Sequence, residues 1–250
     1  MMPDISIILP AKDEAGSITQ LVSQISTVLA GHDHEIIVVD DGSVDGTRTE
    51  LTVLQRDLPQ LRVICHDRPC GQSAAIRSGV LAARAPLIAT MDADGQNPAS
   101  NLPLLLAAFS TGRDRLGLVQ GQRLDRRDRW SRRLASRTAN RIRRTLLQDG
   151  VSDSGCGLKA FRRDVYLSLP YFDHIHRFMP AMVAREGWQV VTVPVTHAPR
   201  LSGRSKYGNL QRALVGAVDL LGAAWLIRRR RLPVVQELAH RDIGDLQGAA

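Results

Sequence analysis

Asp92 and Asp94 stand one residue apart in Met91-Asp92-Ala93-Asp94-Gly95-Gln96-Asn97-Pro98, directly after the apolar run Ala85-Pro86-Leu87-Ile88-Ala89-Thr90. The run has the composition of a buried strand, and along a strand residues i and i+2 point to the same face. Two carboxylates placed that way repel unless a cation lies between or beyond them. A hard divalent ion, Mg²⁺ or Mn²⁺, takes oxygen ligands and bridges to a diphosphate, and Gln96 offers a further neutral oxygen. Taken alone, Asp-x-Asp also serves as an ordinary turn or cap. Its neighbours change the balance: Lys12-Asp13-Glu14 follows the run Ile5 to Leu9, and Asp40-Asp41-Gly42-Ser43 follows Glu35 to Val39.

These clusters need elements to position them. Short β-rich runs alternate with helical patterns through the first half: Ile5 to Leu9, a helix from Ser17 to Ala30, Glu35 to Val39, a helix from Gly46 to Leu58, Arg62 to Cys65, a helix from Ser73 to Ala83, then Leu87 to Met91. Strands separated by helices imply right-handed βαβ units, hence an α/β fold with a Rossmann-like, mainly parallel sheet flanked by helices. Ligands of such sheets bind beyond the carboxyl ends of the strands, where the three polar clusters fall.

The second half is less regular. Arg-rich helices are expected over 127–147, a helix from Phe178 to Glu186 and a strand from Gln189 to Val195, while residues 197–208, HAPRLSGRSKYG, have the composition of a mobile loop. A single domain over 1–208 is expected, followed by an amphipathic, membrane-associated helix over 209–233 and a polar tail over 234–250. The stretch Asn209 to Ile227 is apolar except for Arg212, Asp219 and a few amides, and it runs into Arg228 to Arg231. Two interrupting charges argue against a spanning segment. An interfacial helix with Trp225 and the arginines near lipid head groups is favoured over a core helix ending in solvated arginines.

Composition narrows the function classes. The formal charge is +8, yet residues 111–147 alone hold twelve Arg and three Asp, so the rest of the chain is nearly neutral. Lysine occurs only at Lys12, Lys159 and Lys206, so the charge is almost all guanidinium, which forks onto phosphate and carboxylate oxygens. Such a patch suits a phosphorylated substrate, an anionic membrane or nucleic acid. Few aromatics and no recognisable nucleic-acid motif disfavour the last. Cys65, Cys70 and Cys156 make an odd count without CxxC spacing, against both a disulfide framework and a zinc site. The N-terminus has no basic segment leading into a long apolar stretch, so no secretory signal is read, and a cytoplasmic chain is expected.

The segments Ile7-Ile8-Leu9-Pro10-Ala11-Lys12-Asp13-Glu14, Glu35 to Ser43 with Asp45-Gly46-Thr47, GQSAAIRSG at 71–79 and DADGQ at 92–96 resemble family 2 glycosyltransferases in order and spacing. Gly121-Gln122-Arg123, Asp153-Ser154-Gly155-Cys156-Gly157 and residues 197–208 resemble the later motifs of its polyprenyl-phosphate branch, which includes dolichol-phosphate mannose synthase-like enzymes. The resemblance spans about residues 4–210. It implies a GT-A fold, a GDP- or UDP-sugar donor, a polyprenyl phosphate acceptor and Mg²⁺ or Mn²⁺. It also implies that Pro10, Glu14, Val39 and Asp41 contact the nucleoside, and that Asp92, Ala93, Asp94 and Gln96 handle the diphosphate and metal. Arg123, Arg200 and Lys206 would act on the phosphates of donor and acceptor, and with Asp94 form the catalytic group. One departure is Lys12, which stands where the family usually has an aromatic residue.

The chemistry agrees with these roles. A departing nucleoside diphosphate develops negative charge that a metal and cationic side chains stabilise while the sugar passes through an oxocarbenium-like state. A phosphate monoester acceptor is largely ionised near neutrality because its second pKa is about 6, so no general base is required. The protein must instead offset the repulsion of two anions. Arg133 and Arg137 fall on one helical face and suit either that task or a solvated surface. His174, His176 and His197 lack tight metal-ligand spacing, Phe178 and Trp188 are expected in packing, and Asp153 suits an acceptor pocket or a turn. The expectation is therefore a metal-dependent inverting glycosyltransferase, peripheral at the inner face of the membrane, with a homo-oligomer left open. Transfer to a glycan hydroxyl, or a non-catalytic nucleotide-sugar-binding or nucleic-acid-binding protein, are the alternatives.

Overall fold

The computed structural model describes residues 2–123, 143, 145–147, 149–198, 209–231 and 233. Seven strands form one sheet: β1 (Ile5–Ala11), β2 (His34–Asp40), β3 (Leu61–Cys65), β4 (Leu87–Thr90), β5 (Leu116–Arg123), β6 (Lys159–Arg162) and β7 (Gln189–Val195), in the order β3-β2-β1-β4-β6-β5-β7. The pairs β1–β2, β2–β3, β1–β4 and β5–β7 are parallel; β6 runs antiparallel to both β4 and β5. The mainly parallel, doubly covered sheet expected from the alternating pattern is what forms.

Alternation along β1 assigns its residues to the two faces. Ile5, Ile7 and Leu9 join Ile36 and Val38 in one apolar core, while Ile8 joins Ile37 and Val39 in the other. The first core is closed by α1 (Ile18–Val28), α2 (Thr47–Asp57) and α4 (Leu102–Phe109); Ile18, Leu21, Val22 and Ile25 of α1 follow the i, i+3, i+4, i+7 spacing of a single buried stripe. The second is closed by α3 (Gln72–Ala82), α5 (Arg163–Ser168), α6 (Ile175–Arg185) and α7 (Asn209–Arg229). Gly79 lets α3 approach the sheet, since a Cβ there would lie 2.5 Å from Ile8 Cγ2.

Three features differ from the sequence expectation. Strand β6 was not anticipated, because Lys159-Ala160-Phe161-Arg162 is short and places a lysine, only 3% exposed, at its first position. Helix α6 starts at Ile175 rather than Phe178, after His174 in a left-handed conformation, and this puts His176 and Arg177 in its first turn. Helix α7 packs against the second core through Leu220, Ala223, Leu226 and Ile227. Asp219, which interrupts the apolar run, accepts a 2.8 Å hydrogen bond from His174 Nδ1 and pins α7 to the segment before α6. Arg230 of the terminal cluster pairs with Glu186. Among the described residues, no helix is long and apolar enough to cross a membrane. The tail over 234–250 and most of the Arg-rich stretch over 127–147 lie outside the described residues.

Candidate active site

Register explains why the acidic turns meet. Ala11 of β1 pairs with Asp40 of β2, so those strands end level, whereas β4 ends at Thr90 opposite Ile8. The chain leaving β4 therefore turns below the rim, and Asp92 starts deep between its neighbours. A cleft of about 410 Å³ opens there, walled by Pro10, Lys12 and Glu14 after β1, Asp41 after β2, Pro69, Gly71 and Gln72 before and into α3, and Asp92, Ala93 and Asp94 after β4.

The first two turns are laced together. Asp13 adopts φ 56° and exchanges bonds with the second turn, its N–H donating to Ser43 Oγ (2.9 Å) and its Oδ1 accepting from Val44 N–H (3.0 Å). Glu14 N–H donates to Thr47 Oγ1 (2.9 Å). Asp41 accepts from His66 Nδ1 (2.8 Å) and from the backbone N–H groups of Cys70 (2.7 Å) and Gly71 (2.8 Å). Burial works against ionisation of Asp41, but these bonds outweigh it and hold its pKa below the usual carboxylate range. Asp41 thus anchors the Pro69–Gly71 wall while lining the cleft. The Val39 side chain is fully buried in the second core with Ile8 and Ile37, under α3, and is not among the residues that line the cleft.

Behind Asp92 lies a smaller chamber of about 110 Å³, sharing Asp92 and Gln72 with the cleft and bounded by Thr90, Gly157, Lys159 and His176. Antiparallel β6 enters from the rim with Lys159 paired to Thr90, which carries the lysine beneath the acidic turn. A Cβ at Gly157 would sit 2.2 Å from Asp92 Oδ2, so only glycine leaves space for that carboxylate. Gln72 Nε2 donates to Asp92 Oδ1 (2.7 Å). Burial first, and Asp94 second, push the Asp92 pKa up, while burial pulls that of Lys159 down. Asp94 Oδ1 accepts from Gln96 N–H (3.1 Å).

Arg123, expected on the phosphates, is found paired with Asp153. Its guanidinium engages Asp153 in a two-pronged pair, Nε to Oδ2 at 2.7 Å and Nη2 to Oδ1 at 2.8 Å, with both side chains largely buried, and three of its five N–H groups lie outside that pair. It lines neither cavity and serves to tie β5 to the segment before β6. Asp153 is correspondingly an ion-pair partner rather than a free pocket wall. Arg200 and Lys206, like Arg133 and Arg137, lie outside the described residues. Their loop nevertheless departs from the acidic turn: Asn101 brackets Thr196, accepting from its N–H (3.2 Å) and donating to its carbonyl (3.1 Å), and Ala198 N–H donates to Gln96 O (2.8 Å).

Comparison with known proteins settles the family. A family model described as Glycosyl transferase family 2 matches residues 6–169. The chain belongs to that family. Among curated relatives of the chain, the undecaprenyl-phosphate 4-deoxy-4-formamido-L-arabinose transferase of Edwardsiella ictaluri is 34% identical over 82% of the chain and 63% of its own length. The dodecaprenyl-phosphate galacturonate synthase of Rhizobium johnstonii is 32% identical over 92% of the chain and 69% of its own. The chain thus spans a little under two thirds of the first of these relatives. Two solved structures share the GT-A fold. A mannosyltransferase from Pyrobaculum calidifontis, solved with GDP-mannose and Mn²⁺, superimposes with a TM-score of 0.65 at 21% identity, over 93% of this chain and 66% of that one. Glucosyl-3-phosphoglycerate synthase from Mycobacterium tuberculosis, solved with Mn²⁺, UDP-glucose and phosphoglyceric acid, gives 0.69 at 20% identity, over 89% and 80%.

The residues present in the cleft fit a hard cation. Asp92 and Asp94 offer only oxygen, and the Asp92 carboxylate occupies a space that any side chain at 157 would fill. A second cluster, Asp41, His66 and Cys70, brings three ligating atoms within 4.8 Å of one another. Its nitrogen and sulfur donors do not suit Mg²⁺ or Mn²⁺, and both Asp41 oxygens already accept hydrogen bonds. Sequence reasoning missed Gln72, Lys159 and His176. The signal for Lys159 was its rarity, since lysine occurs three times in a chain with 33 basic residues.

Proposed function

We propose that this chain is a metal-dependent, inverting glycosyltransferase that moves a sugar from a nucleoside-diphosphate donor to a polyprenyl phosphate at the cytoplasmic face of the membrane. The observation that carries it is the convergence of Asp92 and Asp94 with the Pro10, Glu14 and Asp41 turns on one cleft, in a chain whose curated relatives transfer sugars to prenyl phosphates. Mg²⁺ or Mn²⁺ held by Asp92, Asp94 and Gln96 would neutralise charge on the departing diphosphate. The protein itself binds the nucleoside against Pro10 and Asp41 and holds the acidic turn in place. Arg200 and Lys206 are assigned to the acceptor phosphate, on a loop whose root is bonded to Gln96. An ionised phosphate acceptor needs no base. In keeping with that, the buried second-half carboxylates Asp149 and Asp153 are each committed to an arginine, Arg143 and Arg123. Attack from the face opposite the diphosphate inverts the anomeric carbon. Incubation with Mn²⁺, a panel of UDP- and GDP-sugars and undecaprenyl or dolichyl phosphate is expected to yield a lipid-linked sugar phosphate with one donor. Folded protein that gives no such product with any donor refutes the proposal.

The membrane part of this proposal rests on α7. Val218, Leu221 and Trp225 are 70%, 66% and 61% exposed, while Ala223 and Ala224 on the other side pack inward. An exposed apolar stripe leading into Arg228 to Arg231 suits the head-group region of an anionic bilayer. Sedimentation with phosphatidylglycerol vesicles is expected for the full chain and strongly reduced in a Val218→Ser, Leu221→Ser, Trp225→Ser variant. Equal sedimentation of the two removes α7 as the anchor.

A further inference from the structure

We propose that Gln72 is a positioning residue for Asp92: its side-chain amide engages one carboxylate oxygen and leaves the other available to the cation. The proposal rests on the metal-dependent reading above and adds the residue that prepares one of the proposed ligands.

The terminal torsion of an aspartate is soft, so Asp-x-Asp spacing does not decide how the carboxylate is turned. Its neighbours do. Gln72 Nε2 donates to Asp92 Oδ1 at 2.7 Å, and an ionised carboxylate only accepts, so the amide must present its nitrogen there. Among the described residues no hydrogen bond reaches Oδ2. On the other side, a Cβ at Gly157 would lie 2.2–2.3 Å from the carboxyl carbon and both oxygens. Thr90 Oγ1 donates to the Gly157 carbonyl (3.0 Å) and holds that backbone in place. The carboxylate therefore sits between α3 and the segment leading into β6. Lys159 lies in the same chamber and adds positive charge. Charge attraction favours an ionised Asp92 but does not choose between its oxygens as a directional hydrogen bond does.

Gln72 suits this task because its backbone is anchored. It is the first residue of α3, whose Ala75, Ile76 and Val80 are buried in the second core. Ser73 Oγ is hydrogen-bonded to His176 Nδ1 (2.7 Å), which ties the same turn to α6. The two preceding residues, Cys70 and Gly71, give their backbone N–H groups to Asp41 (2.7 and 2.8 Å). Three consecutive residues thus touch two acidic turns, 70 and 71 through the main chain and 72 through its side chain. A metal ligand held by such an outer hydrogen bond is oriented before the ion arrives.

Mn²⁺ binding to the full chain, followed without turnover by the loss of the free ion's paramagnetic resonance signal, tests this. Gln72→Met keeps the length of the side chain and removes the donor. It is expected to weaken Mn²⁺ binding by about 10–100-fold, the usual cost of losing a partner behind a metal ligand. Binding of UDP and GDP in the presence of a chelator, and the melting temperature without metal, are expected to match the wild type. On an Asp92→Asn background the same change is expected to alter Mn²⁺ affinity by less than about twofold, because Gln72 acts through the carboxylate. Gln72→Leu repeats the comparison should the methionine variant fold poorly. Wild-type protein that binds no Mn²⁺, with or without UDP or GDP, overturns the metal-dependent reading and this proposal with it. Wild-type binding that Gln72→Met leaves unchanged overturns the positioning role alone. An equal loss with and without the Asp92 carboxylate, or a matching loss of metal-free nucleotide binding, makes Gln72 a contact of the ligand or of the fold, and the proposal fails.

Discussion

Asp94→Asn is expected to lower Mn²⁺-dependent turnover by about a thousandfold or more, because a metal's charge stabilisation is worth several kcal/mol and each 1.36 kcal/mol is tenfold in rate. Stability should hardly change. Asp94 is partly exposed, and its oxygen that accepts from Gln96 N–H is retained in asparagine. Removing one of two neighbouring carboxylates also relieves repulsion that now raises the Asp92 pKa. The prediction is checked by Mn²⁺ titration of initial rates together with melting curves. The wild-type melting temperature should rise with Mn²⁺ and nucleotide, whereas that of Asp94→Asn should not. Turnover retained at saturating Mn²⁺ would contradict the metal role of Asp94.

Asp153→Ala is expected to cost ~3–5 kcal/mol of folding stability, the range for breaking a buried ion pair by removing one partner. The Arg123 and Asp153 side chains are 17% and 8% exposed, so solvent screens the pair little. Loss of Asp153 leaves a guanidinium buried without its counter-charge. The Arg123→Met, Asp153→Ala double variant should be less destabilised than the sum of the single changes, since both charges leave together. Urea unfolding measures all three. If Arg123 were chiefly a phosphate ligand, Asp153→Ala would leave the urea midpoint near wild type and free the arginine for substrate, lowering KM. A midpoint shift that matches the buried-pair cost instead supports the structural role.

The two predictions concern residues that look alike in the sequence, each a charged group in a short polar motif near a strand end. Asp94 stands in a turn whose spacing, together with the two acidic turns upstream, points to a cation, because strand alternation and turn composition are local rules. Arg123 also ends a strand, but its partner is 30 residues away along a connection with no local pattern. No spacing rule pairs Arg123 with Asp153. The same limit hid Lys159: its chemistry depends on β6 running antiparallel beside β4, and four residues with a charged first position do not read as a central strand.

The sequence by itself determined the α/β class, the parallel β1–β4 half and the position of three acidic turns at strand ends, because hydrophobic period and turn chemistry are properties of neighbours in the chain. It also singled out Asp92 and Asp94 as the pair proposed to hold a cation. Only the tertiary structure decided which charges remain available. It committed Arg123 to Asp153, put Val39 in the core, turned Asp219 from an interruption of an apolar helix into its link to His174, and brought Lys159 and His176 into one chamber with Asp92. Those outcomes depend on strand order and register between distant segments, and it is the free-energy cost of burying an unpaired charge that selects the partners.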